Sequence, residues 1–391
     1  MGGIRLPPSN SASGVIAKEG KQMHGEFGYA VIGGGLVGAS LAYGLAKQGQ
    51  KVVMLDEADI ARRASRGNFA LVWVQGKGAA FPVYSDWTIS SALAWSGFAD
   101  ELEELTGIRL YHRRPGGFVL CLSEDELAFR AEELGKLKAY NAGYPFEILS
   151  REELVNLLPQ IGPEVVGASY CALDGDVNSL MLLRSLHTAF ALVGGTSLPG
   201  SKVVDIQCNS NVYRLSTLTG KVYANRIILA AGLGNRELGS MVGFDVPVRA
   251  QRGEIMVTEK IASFLHYPMH VIRQTNEGGV MIGDSHEEAE DYNSVSIPIQ
   301  SGMASRAVRM FPCLEPLNVV RMWSALRVLS CDGYPIYAHS NTHPGAYLVT
   351  CHSGVTLAAA HAHRLAPSIH SGSWDPIISS FGLERFHAEA A

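Results

Sequence analysis

Gly28-Tyr-Ala-Val-Ile-Gly-Gly-Gly-Leu-Val-Gly-Ala-Ser40 decides the fold. Four apolar residues, Tyr29 to Ile32, run into a glycine cluster, and an alanine-rich segment, Leu41 to Gln48, follows. The pattern predicts a short buried strand, a tight turn and the first turn of a helix. Gly33, Gly35 and Gly38 have the GxGxxG spacing. The first glycine permits the turn, the second lets a pyrophosphate approach the backbone, and the third lets the helix pack close on the sheet. Leu36 and Val37 open the helix, whose free N–H groups and positive dipole end favour phosphate. A lone GxGxxG is a weak signal, but here its context is complete. A second strand, Lys51-Val-Val-Met-Leu55, ends in Asp56 and Glu57. Asp56 lies 23 residues beyond Gly33, close to the roughly 20 expected of a ribose-binding carboxylate. A dinucleotide-binding βαβ unit is the reading that accounts for all of this.

Working outward, 391 residues are enough for two domains, each with its own core. A formal net charge of −5 argues against a general nucleic-acid or anionic-membrane binder. The roughly 18 consecutive apolar residues of a membrane-spanning helix occur nowhere. Residues 1–25 are polar and glycine/serine-rich, without the apolar core of a signal peptide, and are expected to form a flexible N-terminal extension. Six scattered cysteines form no CxxC pair, so free thiols in a reducing cytoplasm are expected, and no metal or iron–sulfur cluster is expected to be held by this chain alone. His361 and His363 are two apart on an expected helix and point in different directions, which disfavours a shared metal.

Downstream, Ser65-Arg-Gly-Asn-Phe-Ala-Leu-Val-Trp-Val-Gln-Gly-Lys-Gly78 has no clear period and suits a loop and short helix across a ligand. Ser65 and Asn68 could bond a phosphate or ring, and Gly76 and Gly78 allow close backbone approach. Trp87 to Thr106 has apolar residues at three- and four-residue intervals, predicting an amphipathic helix. Ser123 and Ser150, each followed three residues later by Glu, mark helix starts. Arg226-Ile-Ile-Leu-Ala-Ala-Gly-Leu-Gly234 is too short for a helix and ends in glycines, as a buried parallel strand does. From Pro247 the texture becomes alternating, predicting an antiparallel sheet. The chain then returns to the parallel unit through Ala346-Tyr-Leu-Val-Thr350 and a helix from Val355 to Ile369. Neither domain is contiguous. The expected division gives 26–86, 150–246 and 321–391 to the dinucleotide domain, and 87–149 and 247–320 to a substrate domain.

Several motifs, in order, resemble the D-amino acid oxidase family of flavoproteins, from about Gly28 to Arg364. They are Gly33 to Gly38 with Asp56; Val203-Val-Asp-Ile206; Ile228-Leu-Ala-Ala-Gly232; Arg252-Gly253 with Arg273-Gln274; Trp323-Ser-Ala-Leu-Arg-Val-Leu-Ser-Cys-Asp-Gly-Tyr-Pro335; and His352-Ser-Gly354. The fifth departs from the family's usual W-x-G-x-R-P-x-T-x-D-G-x-P at Ala325, Val328 and Ser330-Cys331. The resemblance implies an α/β fold like that of glycine and sarcosine oxidases: a Rossmann-like FAD-binding domain with a central parallel sheet, and an interleaved α+β substrate domain with an antiparallel sheet. It implies FAD held by Gly33, Gly35, Leu36, Val37, Gly38, Asp56, Glu57, Ser65, Asn68, Val203, Ala231, Gly232 and the loop His352, Ser353, Gly354, Val355 and Thr356. Within the family, the stretch 65–78 is most similar to the β subunits of opine oxidases, which act on octopine and nopaline.

That resemblance implies oxidation of a C–N bond, with the reacting C–H about 3–3.5 Å from the flavin. The site then needs a carboxylate clamp and exclusion of water rather than a strong base. Arg327 is the implied clamp, since a guanidinium binds a carboxylate through two parallel bonds, and His352 is the implied second catalytic residue. An opine carries at least two carboxylates, so a further polar group should face the substrate; Arg252, His270 and Arg273 are candidates. The resemblance also implies a larger α subunit, a small [2Fe-2S] subunit and an FMN between subunits, in a cytoplasmic assembly that could reach the inner membrane through its electron acceptor. Two other functions fit the same residues: a self-sufficient oxidase or dehydrogenase for glycine, sarcosine, (hydroxy)proline or a D-amino acid, and a non-catalytic flavin-holding scaffold.

Overall fold

A computed structural model of the chain describes residues 22–57, 64–288 and 295–386. Its largest sheet has eight strands, with Gln22–Ile32 at the centre. That strand pairs in parallel with Val52–Leu55 on one side and Gly220–Leu229 on the other. Thr196–Leu198 and Ala346–Thr350 extend the parallel order outward, and Ile336–His339 closes one edge antiparallel. Both faces are covered, as a parallel sheet requires. Tyr29, Val31 and Met54 point into one core, with the helices Leu36–Lys47, Pro82–Thr106 and Ser179–Leu192. Ala30, Ile32, Val53 and Leu55 alternate into the other, beneath the strands Val203–Asn209 and Val212–Thr217.

A second, four-stranded antiparallel sheet runs in the order Ile272–Gln274, Gly279–Gly283, Val248–Lys260, Val319–Ser330. A three-stranded sheet of Gly117–Cys121, Gly167–Cys171 and Glu147–Ser150 shares a third core with it and with the helix Ile297–Met310. Ser123 caps Glu124–Tyr140, and Ser150 forms a complete capping box on Arg151–Leu157, as their spacing predicts.

The structure differs from the expected boundaries in four places. The extension was expected to reach residue 25, but Gln22 already pairs with Gly220; residues 1–21 lie outside the described residues. Pro82–Thr106 buries Trp87, Trp95 and Phe98 in the core of the parallel sheet rather than in a substrate domain. Gly167–Cys171 pairs with Gly117–Cys121, away from the parallel sheet. The expected cut between 320 and 321 falls inside a strand whose whole length from Val319 to Ser330 pairs with Val248–Lys260. In each case tertiary packing overrides a boundary drawn from local texture.

Candidate functional site

The glycine turn is built by close approach. Gly33 has φ +114°, and a Cβ there would meet the Ala230 carbonyl oxygen at 2.3 Å. A Cβ on Gly38 would lie 1.9 Å from the oxygen of Gly33. Gly35 has an ordinary φ of −72° and caps the helix without a side chain; a Cβ there would meet Ser65 Oγ at 2.8 Å. Asp56 accepts a 2.7 Å hydrogen bond from the Gly34 N–H, and Ser65 Oγ accepts one of 2.9 Å from the Leu36 N–H. His187, on Ser179–Leu192, bonds the Gly34 carbonyl at 2.8 Å. The turn is thus held from three elements.

From this turn a cavity of about 960 Å³ runs along the parallel strand ends to His352. Gly33, Gly35, Leu36, Val37, Asp56, Glu57, Ser65, Asn68, Val203, Ala231, Gly232, His352, Gly354 and Val355 line it, with His187 added. Gly38, Ser353 and Thr356 are not part of its lining. Thr356 Oγ1 accepts from the Trp73 N–H, and the Val355 and Thr356 carbonyls accept from the wholly buried Trp95 Nε1. Ser353 Oγ accepts from Tyr84 Oη at 2.6 Å and from Lys77 Nζ. Helix geometry begins at Ala358, after a turn over 354–357, rather than at Val355. It continues through a π turn at His361–Leu365. His361 faces Tyr337 Oη at 2.8 Å while His363 reaches Glu101, so the two rings serve separate core contacts.

At the His352 end the antiparallel sheet brings charge together. Arg327 donates to the Ser285 carbonyl at 2.6 Å and lies 3.2 Å from Asp284 Oδ1. His286 Nε2 lies 2.9 Å from the same oxygen, and His270 Nδ1 lies 3.5 Å from Asp284 Oδ2. Burial would raise the Asp284 carboxyl, but the His286 hydrogen bond and the charges of His270, His286 and Arg327 hold it down at about 2. His352 is open to the cavity but deep within the molecule. Burial, then the charges of Lys77 and Arg327, push it down to about 3, so its imidazole is neutral at pH 7.

Of the expected substrate residues, the fold gathers Arg327 and His270 around Asp284. Arg252 lies next to this cluster but is taken up by an ion pair with Glu287. Arg273 turns away; it donates to the Phe69 carbonyl and Met281 Sδ, reaches Asp176, and lines a separate polar cavity of about 800 Å³ with Arg109, Arg113 and Arg114. Asp332 pairs with Arg385, leaving Arg327 to Asp284. Sequence reasoning missed Asp284, His286, His187 and Lys77. Only Lys77 carried a signal, as a lysine between two glycines in a loop suited to a ligand. Among the described residues no group of three or more His, Cys, Asp or Glu is placed to hold a metal, and no helix is long and apolar enough to cross a membrane.

A glycine turn under parallel strands, a long cavity along it and a charged cluster whose field reaches His352 fit a dinucleotide-dependent oxidoreductase. The chain belongs to the DAO family, FAD dependent oxidoreductase, whose family model matches residues 29–367. It is 45% identical over 368 residues to an opine oxidase subunit of Agrobacterium tumefaciens (strain Ach5), covering 94% of this chain and 99% of that protein. It is 42% identical, with the same coverage, to the corresponding opine oxidase subunit of Rhizobium meliloti. The fold superposes on glycine oxidase from Bacillus cereus ATCC 14579 with a TM-score of 0.83 at 22% identity, covering 90% of this chain and 98% of that one. The residues present fit FAD. Glycines stand where a Cβ would close the turn, the cavity is long, and Asn68 Oδ1, on its wall, is buried without a hydrogen-bond partner in the protein.

Proposed function

We propose that this chain is the catalytic subunit of an opine-oxidising enzyme: it dehydrogenates the C–N bond of an N-carboxyalkyl amino acid such as octopine or nopaline. Water then splits the resulting imine into an amino acid, arginine for those two, and a 2-oxo acid. The observation that carries the reading is the Arg327–Asp284–His270 cluster, whose Arg327 and Asp284 charges act on His352 in the cavity wall; the two opine oxidase relatives point to the same substrate class.

Bound FAD supplies the two-electron acceptor for this chemistry. Gly35, the Val37 N–H and the Ser65 hydroxyl, whose oxygen already accepts from the Leu36 N–H, would hold its phosphates, and Asp56 or Glu57 its ribose. Arg327 would bind a substrate carboxylate; its guanidinium is pre-aimed by Asp284 and the Ser285 carbonyl, so little orientation is lost on binding. His352, neutral at pH 7, can accept a hydrogen bond from the substrate amine without repelling its charge. Trp95 and Tyr84, buried behind the 352–356 loop, fix that loop and keep water out.

Both opine oxidase relatives are named as subunits, which implies partner subunits in those enzymes. For this chain the reading adds a larger α subunit, a small [2Fe-2S] subunit and an FMN at an interface. The arginine-bearing second cavity and the exposed run Val319, Val320 and Met322 support such contacts. The free cysteines support a reducing, cytoplasmic setting.

Purified alone and with its co-expressed neighbours, the FAD-loaded chain is mixed anaerobically with octopine, nopaline, D-proline or glycine, and its flavin absorbance is followed. Bleaching by an opine is expected. Bleaching by glycine or D-proline alone, with fast reoxidation in air, replaces this reading with that of a self-sufficient oxidase. No bleaching by any amine leaves the scaffold reading.

A further inference from the structure

We infer that Lys77 is the group that binds the second carboxylate of the substrate, and so sets the preference for a dicarboxylate amine over a simple amino acid. The inference rests on the reading of the substrate as an N-carboxyalkyl amino acid. Lys77 sits in the loop between the short strand Leu71–Val72 and the helix Pro82–Thr106, where Gly76 and Gly78 adopt φ +79° and +86°. That backbone delivers the ammonium to Ser353 Oγ, one residue from His352, and over the Tyr84 ring at 5.9 Å from its centroid. Its charge reaches both His352 and His270.

Lys77 wants a counter-ion. Among the described residues no carboxylate lies within ion-pair distance of it. The acid whose charge it feels, Asp174, is already taken up by the N–H groups of Val74 and Gln75 and by Gln75 Nε2. Arg327 has Asp284, Arg252 has Glu287, and Arg130 donates to Gln75 and Ser169. Lys77 has only two neutral oxygen and ring neighbours, and burial pushes its ammonium down to about 8. A cation only partly exposed and held this way is costly unless an anion joins it. Lys77 keeps part of its surface exposed, as His270 and His352 do, and its charge acts on both of them, so the open space it faces is the one these histidines share. A substrate held by Arg327 at one carboxylate presents its other carboxylate across the amine. Lys77 enters from a different element than Arg327, so the two cations address two separate anionic groups.

The test uses inert probes and the FAD-loaded protein in its co-expressed assembly. Diglycolate is an ether with two carboxylates and no amine; methoxyacetate has one. Each is titrated while the shift in the bound flavin's absorbance is recorded, for the wild type, Lys77→Met and Lys77→Arg. Lys77→Met should weaken diglycolate about tenfold or more while changing methoxyacetate less than about threefold, and Lys77→Arg should restore most of the diglycolate affinity. Equal weakening of both probes, or no change in either, overturns the assignment. Since neither probe is oxidised, this outcome is independent of which amine reduces the flavin. If octopine and nopaline fail to bleach the wild type yet diglycolate still depends on Lys77, the function reading falls and the anion site stands.

Discussion

The Arg327 guanidinium lies against Gly253: a Cβ built on that glycine would come within 2.6 Å of Arg327 Cζ and Nη2. The two residues sit on neighbouring antiparallel strands, in register two apart. Absence of a side chain on Val248–Lys260 is what lets the arginine lie along the sheet toward Asp284. Gly253→Ala should therefore displace the guanidinium. The expected result is a Kd for substrate raised about tenfold or more with FAD content unchanged, and a stability loss of about 1–3 kcal/mol from overpacking. Flavin titration and thermal melting check both. Unaltered substrate affinity would show that Arg327 has room to spare.

Arg327→Lys addresses the clamp itself. A point charge cannot reproduce the planar fork, so the variant should hold FAD but bind substrate at least about tenfold more weakly. Unchanged turnover at low substrate would remove Arg327 from the site.

Asp284 has φ +86° yet is not glycine. Asn tolerates that conformation better than Ala, so Asp284→Asn isolates the loss of charge. Arg327, His270 and His286 then lose their common anion, and a destabilisation of about 1–3 kcal/mol is expected at pH 7. The folded carboxyl sits at about 2, below the unfolded value of about 3.9. Its stabilising contribution is therefore complete above the unfolded pKa and disappears as pH falls through the folded one. Wild type and variant should converge in stability toward pH 2. A gap that persists there contradicts the ion-pair account.

Gly35→Ala separates folding from cofactor binding. Its φ is ordinary, and its Cβ would meet only the Ser65 hydroxyl at 2.8 Å, a side chain able to turn away. The variant should fold but occupy the surface where a pyrophosphate approaches, and FAD affinity should drop about tenfold or more. Gly33→Ala, facing fixed backbone, should instead yield little folded protein. Circular dichroism with flavin content distinguishes the two; full FAD occupancy in Gly35→Ala contradicts the assignment.

Lys77 gives a pH signature. Facing it are Ser353, Tyr84, Cys351, Asp174, His352 and His270. Its folded pKa of about 8 lies below the unfolded value of about 10.4. Between these the unfolded chain holds the extra proton, so stability rises with pH across that window and the penalty is full below pH 8. Lys77→Met should be the more stable protein at pH 7, by on the order of 1 kcal/mol, and lose that advantage by pH 10. Melting curves with parallel pH dependence would refute it.

Much of the glycine turn was legible because each glycine has one backbone reason and a fixed spacing. Gly33, Gly35, Gly38 and Asp56 are all within the reach of local pattern, and so were the serine caps at 123 and 150. The substrate half was not. Arg327 could be singled out by its motif, but its partner Asp284 follows a strand about forty residues earlier and meets it only through sheet register. Arg252 and Arg273 looked equivalent to His270 on sequence; pairing with Glu287 and burial against Phe69 took them elsewhere. Lys77 lay in plain view but shows its significance only once its lack of a counter-ion can be seen. The domain cut at 320 failed for a related reason: one strand, Val319–Ser330, begins as exposed surface and ends in the site.

That strand has a consequence for how the protein can change. Leu326 and Val328 line the FAD cavity, while the intervening Arg327 points to Asp284 and Gly253. A two-residue period separates the cavity-lining side chains from the proposed substrate clamp. Substitutions at alternate positions can retune substrate choice while leaving the cofactor's wall untouched, whereas a one-residue insertion would exchange the two roles along the whole segment. Specificity is thus free to drift by substitution here and closed to drift by change of length.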